Sequence, residues 1–314
     1  MKSTKQKKIT KDFFNQVSGE WFGRTYDPAG KYLTFPGNKI RMEVALEEIS
    51  RLGIKGRALD IGCGEGQLVI ELLKKGINAE GIDIAEDMIK GAKDNLKKSK
   101  VRKNPDEVFR SIDLDRFKVS KQYDIATGLG LLEYLDTDKE FFSMVAPVVH
   151  NGGYVLAECR NKFFNLFSAN QYTVKLKNEL PELIKELNDS IKYSPVPPKK
   201  IPMTQLAVSS GISKFLSVAV KNREWLSNSV PHYTNYPPKM VRRQHTPQEI
   251  EASAKKYGFK LEYVVYWHPH PYPPVYGKNF PRIFNKISHL MNPLGRTPLG
   301  AWMCSSFIAV FRKR

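Results

Sequence analysis

The chain has 314 residues, 41% of them hydrophobic and 11% aromatic, which is enough apolar material for a substantial core and argues against wholesale disorder. No apolar run approaches the roughly 18–20 residues that span a bilayer, and the N-terminal MKSTKQKKITKDFF has cations with no apolar stretch behind them, so neither a membrane span nor a secretory signal is expected. The cysteines Cys63, Cys159 and Cys304 form no CxxC pair, which argues against a disulfide framework or a metal site and for a reducing cytoplasm, while the net charge of +18 attracts nucleic acid, anionic membranes or acidic substrates alike.

Residues 1–56 read as N-terminal cover helices, with aromatics at Phe13, Phe14, Trp21 and Phe22 and helical spacing through Val44, Leu46, Ile49 and Leu52. A regular alternation follows over residues 57–160. The spacing predicts a strand at Ala58–Ile61, a Gly-rich turn and a helix over Leu68–Lys75, then a strand at Ala79–Ile84 and a helix over Glu86–Lys98. Val108–Ile112 and Tyr123–Gly128 are the third and fourth strands. After Leu131–Leu135 come a helix around Lys139–Val149 and a fifth strand at Gly153–Cys159. Strands separated by helices in this way predict a doubly wound, Rossmann-like α/β fold with a mostly parallel seven-stranded sheet.

The rhythm breaks over residues 161–247, a cap insertion with a helical-looking Thr173–Leu187 and a Pro-rich Ser194–Pro202. It resumes over residues 248–314 with a helix at Gln248–Tyr257 and strands at Phe259–Trp267 and Ser305–Arg312. Between those strands lies a second, Pro-rich insertion at residues 269–304. Thr246 followed by Glu249 predicts a capping box at the start of the resumed helix.

The chemistry centres on ALDIGCGEGQ, Ala58–Gln67, where a strand runs directly into Gly62, Gly64 and Gly66. Glycines let the backbone turn sharply and approach a ligand, and the next helix N-terminus presents free N–H groups. By itself such a loop is often only a tight turn. Here, 17 residues past Gly66, the second strand ends in Asp83, placed to accept both ribose hydroxyls of a nucleoside. An N-cap for the helix beginning at Glu86 is the structural alternative for that carboxylate. The loop lacks the third glycine of GxGxxG, which argues against a dinucleotide.

This segment resembles motif I of class I S-adenosylmethionine-dependent methyltransferases, and the resemblance runs over Arg57–Arg160. It implies that Asp60, Gly62, Cys63, Gly64 and Gly66 line the methionine and ribose end of S-adenosyl-L-methionine. Asp83 matches the ribose-binding acid, Met88 a hydrophobic position near the adenine, and Asp113 with Leu114 the position beside the adenine amino group. YDIATGLGLLEYL, which contains Gly128, looks like the FDxVxxxxVLEHL pattern of the ubiquinone-type small-molecule enzymes. Glu133 sits at its acid, while Tyr134 replaces the usual His. GGYVLAECRN looks like the family's GGxLLLSTPN, and Arg41 falls near the place of the cofactor's carboxylate.

The sulfonium activates its own methyl group, so the protein must chiefly align a nucleophile and exclude water. A hydroxyl acceptor needs a base within reach, for which the candidates are His245, His232, Glu133 and Glu158, in that order. Trp21 and Tyr26 are candidates for a cation–π contact with the sulfonium, with core packing as the alternative. Residues 160–247 hold 14 basic residues against five acidic, and residues 269–304 hold four basic and none acidic. Most of the net charge therefore belongs to the insertions expected to select the acceptor. The fitting acceptors are small or lipid- or glycan-linked and acidic, with O-methylation favoured. Docking on an anionic membrane is a further expectation, supported by the apolar stripe Phe280, Phe284, Ile287 and Met291 beside Arg282, Lys286 and His289. An RNA methyltransferase is the alternative, since a basic cap also fits phosphate. Against it, the place after the fourth strand holds Gly128-Leu129-Gly130-Leu131 and no (N/D)PP(Y/F/W). A nicotinamide-dependent oxidoreductase ranks third. No metal is expected.

Overall fold

The computed structural model describes residues 4–20, 26, 35–168, 172, 179–195, 237, 239–274 and 281–314. Seven strands form one sheet: β1 Arg57–Ile61, β2 Asn78–Asp83, β3 Phe109–Ser111, β4 Tyr123–Gly128, β5 Val149–Arg160, β6 Phe259–Pro269 and β7 Cys304–Lys313. Their order is β3-β2-β1-β4-β5-β7-β6. The first five pair in parallel, and β7 runs antiparallel to both β5 and β6.

Strand side chains alternate between two cores, one on each face of the sheet, as the pleat requires. Leu59 and Ile61 of β1 enter one core and Ala58 the other. Phe307, Ala309 and Phe311 of β7 join the first, and Ile308 and Val310 the second. This two-sided burial explains why the strands read as nearly continuous apolar runs.

The helices are α1 Lys5–Val17, α2 Gly37–Arg51, α3 Gln67–Lys74, α4 Glu86–Lys98, α5 Asp138–Val148, α6 Leu180–Asp189, α7 Pro247–Lys255 and α8 Pro281–Leu290, with shorter helical turns between them. Glu86 and Asp87 open α4 and Lys97 and Lys98 close it, each complementing the helix dipole. The Thr246–Glu249 capping box forms at the head of α7, Thr246 Oγ1 accepting from Glu249 N at 3.2 Å and Glu249 Oε2 from Thr246 N at 2.8 Å. Strand β5 begins earlier than Gly153 because Val149 already pairs with Tyr123 across a register shift.

The described part of the first insertion packs on α7, where Tyr193 donates to Glu251 at 2.5 Å and Gln248 to the Glu186 carbonyl at 2.6 Å. The second insertion is tied to α2 by Arg296, which pairs with the fully buried Glu48. Tyr263 donates to the same carboxylate at 2.8 Å. The order of the sheet reverses between β1 and β4, so a crevice opens at the C-terminal ends of these strands.

Candidate active site

A cavity of about 550 Å³ occupies that crevice and continues to the end of β6, where Trp267, His268 and His270 line it. At one end the β1–α3 loop forms its floor. Gly62, Gly64 and Gly66 all have left-handed backbones, with φ of 72°, 53° and 80°. The Gly64 amide donates to Asp83 Oδ2 and the Ala85 amide to Asp83 Oδ1, each at 2.9 Å. Asp83 is thus a half-buried carboxylate aimed by two backbone donors. Burial raises its pKa, and these amides oppose the shift. The N-cap of α4 is Ala85, with no side-chain cap bond, so Asp83 does not cap the helix but accepts from the Ala85 amide and lines the cavity. Gly62, Cys63, Gly64, Met88, Asp113 and Leu114 line the same end.

Asp60, Gly66 and Gly128 lie behind this wall. Asp60 accepts from Thr127 Oγ1 at 2.6 Å, and burial raises its pKa to about 7. Gly66 packs so closely that an added Cβ would stand 2.5 Å from the Phe109 ring. At Gly128 it would stand 2.5 Å from Phe141, so this glycine serves packing rather than ligand contact.

Helix α1 closes over the cofactor end. Lys7 is almost fully buried and reaches Asp115 at 2.7 Å, Asp113 at 3.1 Å and Glu140 at 3.5 Å. Gln6 donates to the Tyr134 and Val241 carbonyls, and the Gly19 amide donates to Glu65 at 2.9 Å. Sequence reasoning missed Lys7, which reads as one cation in a basic run. Tyr26 lines the cavity, and burial raises its pKa to about 12. Trp21 lies outside the described residues.

The catalytic candidates fare differently. His245 is buried and turned away from the cavity. Its Nε2 meets Asp138 Oδ1 at 2.9 Å, and its backbone bridges to Asn161. Expected to face the acceptor, it is instead held by a carboxylate 107 residues earlier in the chain. Glu133 does line the cavity, but its carboxylate is taken by Arg242 at 2.7 Å and Arg160 at 3.8 Å. Glu158 accepts from the Gly130 amide at 2.8 Å and faces Arg41 at 3.5 Å, and burial holds its pKa above the usual carboxylate range. His232 lies outside the described residues.

The opposite end of the cavity holds two histidines that the sequence reading did not single out. His268 and His270 sit at the end of β6 with ring centroids 4.3 Å apart. His268 stacks on Phe35 at 3.9 Å, with Nδ1 2.8 Å from Ser305 Oγ. Its φ of 60° is rare for a residue with a side chain. His270 packs between Phe164 at 4.5 Å and Phe284 at 5.0 Å. Burial lowers the pKa of His268 to about 3 and moves that of His270 the same way, so both are neutral imidazoles. Among the described residues, His268 Nε2, both His270 ring nitrogens and the Trp267 indole N–H take no hydrogen-bond partner. The alternation HPHP closing a predicted strand was the available signal.

A doubly wound sheet of this order, a reversed last strand and a glycine loop flanked by Asp60 and Asp83 are the arrangement that the resemblance to class I S-adenosylmethionine-dependent methyltransferases implies. Residues 59–155 match the family described as methyltransferase domain. Over 157 residues the chain is 26% identical to a ubiquinone biosynthesis O-methyltransferase of Coxiella burnetii, covering 49% of this chain and 62% of that one. Over 142 residues it is 28% identical to the Methylococcus capsulatus protein of the same name, covering 44% and 57%. The chain therefore spans about three-fifths of the length of these curated relatives. Among solved structures, magnesium protoporphyrin IX methyltransferase from Synechocystis PCC 6803 with bound S-adenosylhomocysteine aligns with a TM-score of 0.53. That alignment has 15% identity and covers 98% of this chain and all of that one, a likeness of fold.

Proposed function

We propose that this protein is an S-adenosylmethionine-dependent methyltransferase acting on an oxygen of a small or lipid-linked acceptor. The observation that carries the reading is the single cavity joining the Gly64–Asp83 loop to the neutral His268–His270 chamber. The names of the curated relatives favour oxygen. S-adenosylmethionine supplies a methyl group on a positively charged sulfur that leaves as a neutral thioether.

Asp83 would hold the ribose hydroxyls and Met88 the adenine face, while α1 shuts water out from above. Asp113 is already engaged by Lys7 and the Asp115 amide, so it would serve the adenine end with its remaining lone pairs. At the other end a neutral imidazole always offers one donor and one acceptor. His270 would therefore grip an acceptor hydroxyl, and His268, steadied by Ser305, would orient it toward the methyl group. Neither imidazole carries charge, so an acidic group on the acceptor belongs elsewhere. Arg160 suits it: the guanidinium lines the cavity, and its Nη1 is buried with no hydrogen-bond partner among the described residues.

The test titrates S-adenosylhomocysteine into the protein and into Asp83→Ala, then supplies methyl-labelled S-adenosylmethionine with fractionated host lysate. Loss of the charged acceptor should weaken S-adenosylhomocysteine about 10- to 100-fold. Label should enter the lipid or small-molecule fraction. Tighter binding of NAD than of S-adenosylhomocysteine would overturn the cofactor, and label in RNA would overturn the acceptor class.

A further inference from the structure

Helix α8 carries a second surface that the cavity does not use. Of the expected stripe, Phe280 lies outside the described residues and Phe284 turns inward, buried against His270 and Tyr272 beside Ser288, whose hydroxyl donates to the Pro269 carbonyl at 2.5 Å. The outer side of the helix presents Ile283, Ile287 and Leu290, which are 54%, 37% and 70% exposed. Their spacing places them on one stripe of the helix. The only other large aliphatic side chains so exposed among the described residues are Val119 and Val241, so the apolar exposure is concentrated here. Arg282, Lys286 and His289 are exposed in a parallel row, one residue before each member of the stripe.

We propose that this face of α8 docks on an anionic lipid surface, the aliphatic stripe entering the headgroup boundary and Arg282 and Lys286 meeting lipid phosphates. Charge complementarity selects this occupant. Residues 269–304 contain no Asp or Glu, so the face joins aliphatic side chains to cations alone. That is the composition an interfacial helix needs, with hydrocarbon below and phosphate beside it. A helix of ten residues is about 15 Å long, enough to lie in the interface and far too short to cross it. Phe284 on the buried side packs against His270, which lines the cavity, so docking would bring the acceptor chamber close to the headgroups. This last consequence rests on the function proposed above, whereas docking needs neither cofactor nor acceptor.

The experiment is sedimentation of the full chain with vesicles of phosphatidylcholine alone or mixed with phosphatidylglycerol. The protein should sediment with the mixed vesicles, less so as salt rises, and stay in solution with phosphatidylcholine alone. The double substitution Ile283→Ser with Leu290→Ser should cut the partition coefficient at least about tenfold, since two partly exposed aliphatic side chains lose their burial. Both positions are exposed, and unchanged S-adenosylhomocysteine binding and thermal unfolding would verify that the variant is folded. Lys286→Glu, which keeps the stripe, should weaken binding to the mixed vesicles alone. Failure of the wild type to sediment with anionic vesicles, or equal sedimentation of the double variant, overturns the proposal. So does dimerisation in vesicle-free solution that the double variant abolishes, which would assign the face to a second copy of the chain.

Discussion

Asp138→Asn gives the sharpest test of the role assigned to His245. The carboxylate collects three donors: His245 Nε2 at 2.9 Å, Arg243 Nη2 at 2.7 Å and Ser253 Oγ at 2.9 Å. Burial alone would raise its pKa, but the hydrogen bond and charge of His245, then Arg243 and Ser253, outweigh burial and hold it at about 2. An unfolded Asp titrates near ~3.9, so the depression corresponds to about 2 kcal/mol of stability at neutral pH. The folded value lies below the unfolded one. That contribution is therefore present above about pH 4 and is lost as the pH falls toward about 2. Replacing the carboxylate by an amide leaves Arg243 without its counter-charge and should cost about 2–4 kcal/mol at pH 7. Urea unfolding of both proteins down a pH series measures the gap, which should narrow by about 2 kcal/mol between pH 5 and pH 2. S-adenosylhomocysteine affinity should stay within about threefold, because the cluster lies outside the cavity wall. A gap that stays constant with pH would refute the electrostatic account. If His245→Gln abolished methyl transfer with unfolding unchanged, the structural assignment of His245 would fall as well.

Gly66→Ala places a Cβ 2.5 Å from the Phe109 ring at φ 80° and should lower the unfolding free energy by at least about 2 kcal/mol, measured by urea unfolding. His270→Phe preserves the aromatic packing but removes both polar nitrogens. The acceptor KM should rise about 10- to 100-fold while S-adenosylhomocysteine affinity holds, and His270→Asn, which keeps a donor and an acceptor, should recover most of the loss. Lys7→Ala removes the cation shared by Asp113, Asp115 and Glu140, leaving three carboxylates to repel one another under α1. Release of S-adenosylhomocysteine in stopped flow should accelerate about tenfold, and an unchanged rate would show that α1 does not retain the cofactor.

What the sequence made legible follows the range over which its chemistry acts. Asp83 is readable because strand, loop, helix and acid follow one another within 27 residues of Arg57, and their order alone brings the carboxylate beside Gly64. The sheet was largely readable, since β6 and β7 write their burial into apolar runs, while the short β2 and β3 are legible from their place in the strand–helix alternation. The acceptor chamber has no such local record. His268 gains its role only when the antiparallel register of β6 on β7 brings Ser305 to its Nδ1 across 37 residues of Pro-rich chain. Phe35 and Phe164 arrive from two further segments to complete the aromatic walls. His245 failed for the converse reason. Its local setting before a capped helix resembles the mouth of a pocket, yet Asp138 stands 2.9 Å from its Nε2 and the residue does not line the cavity. A buried carboxylate with two cationic or hydrogen-bonding neighbours captures an imidazole whatever the local motif implies. The same logic sorts the basic excess. Arg41, Arg160 and Arg242 line the cavity, yet Glu158 and Glu133 stand against them and neutralise most of that charge. A large net charge on an insertion therefore predicts what meets its outer surface better than what enters its pocket, and Arg282 and Lys286, exposed beside the α8 stripe with no ion pair among the described residues, are where that excess is free to act.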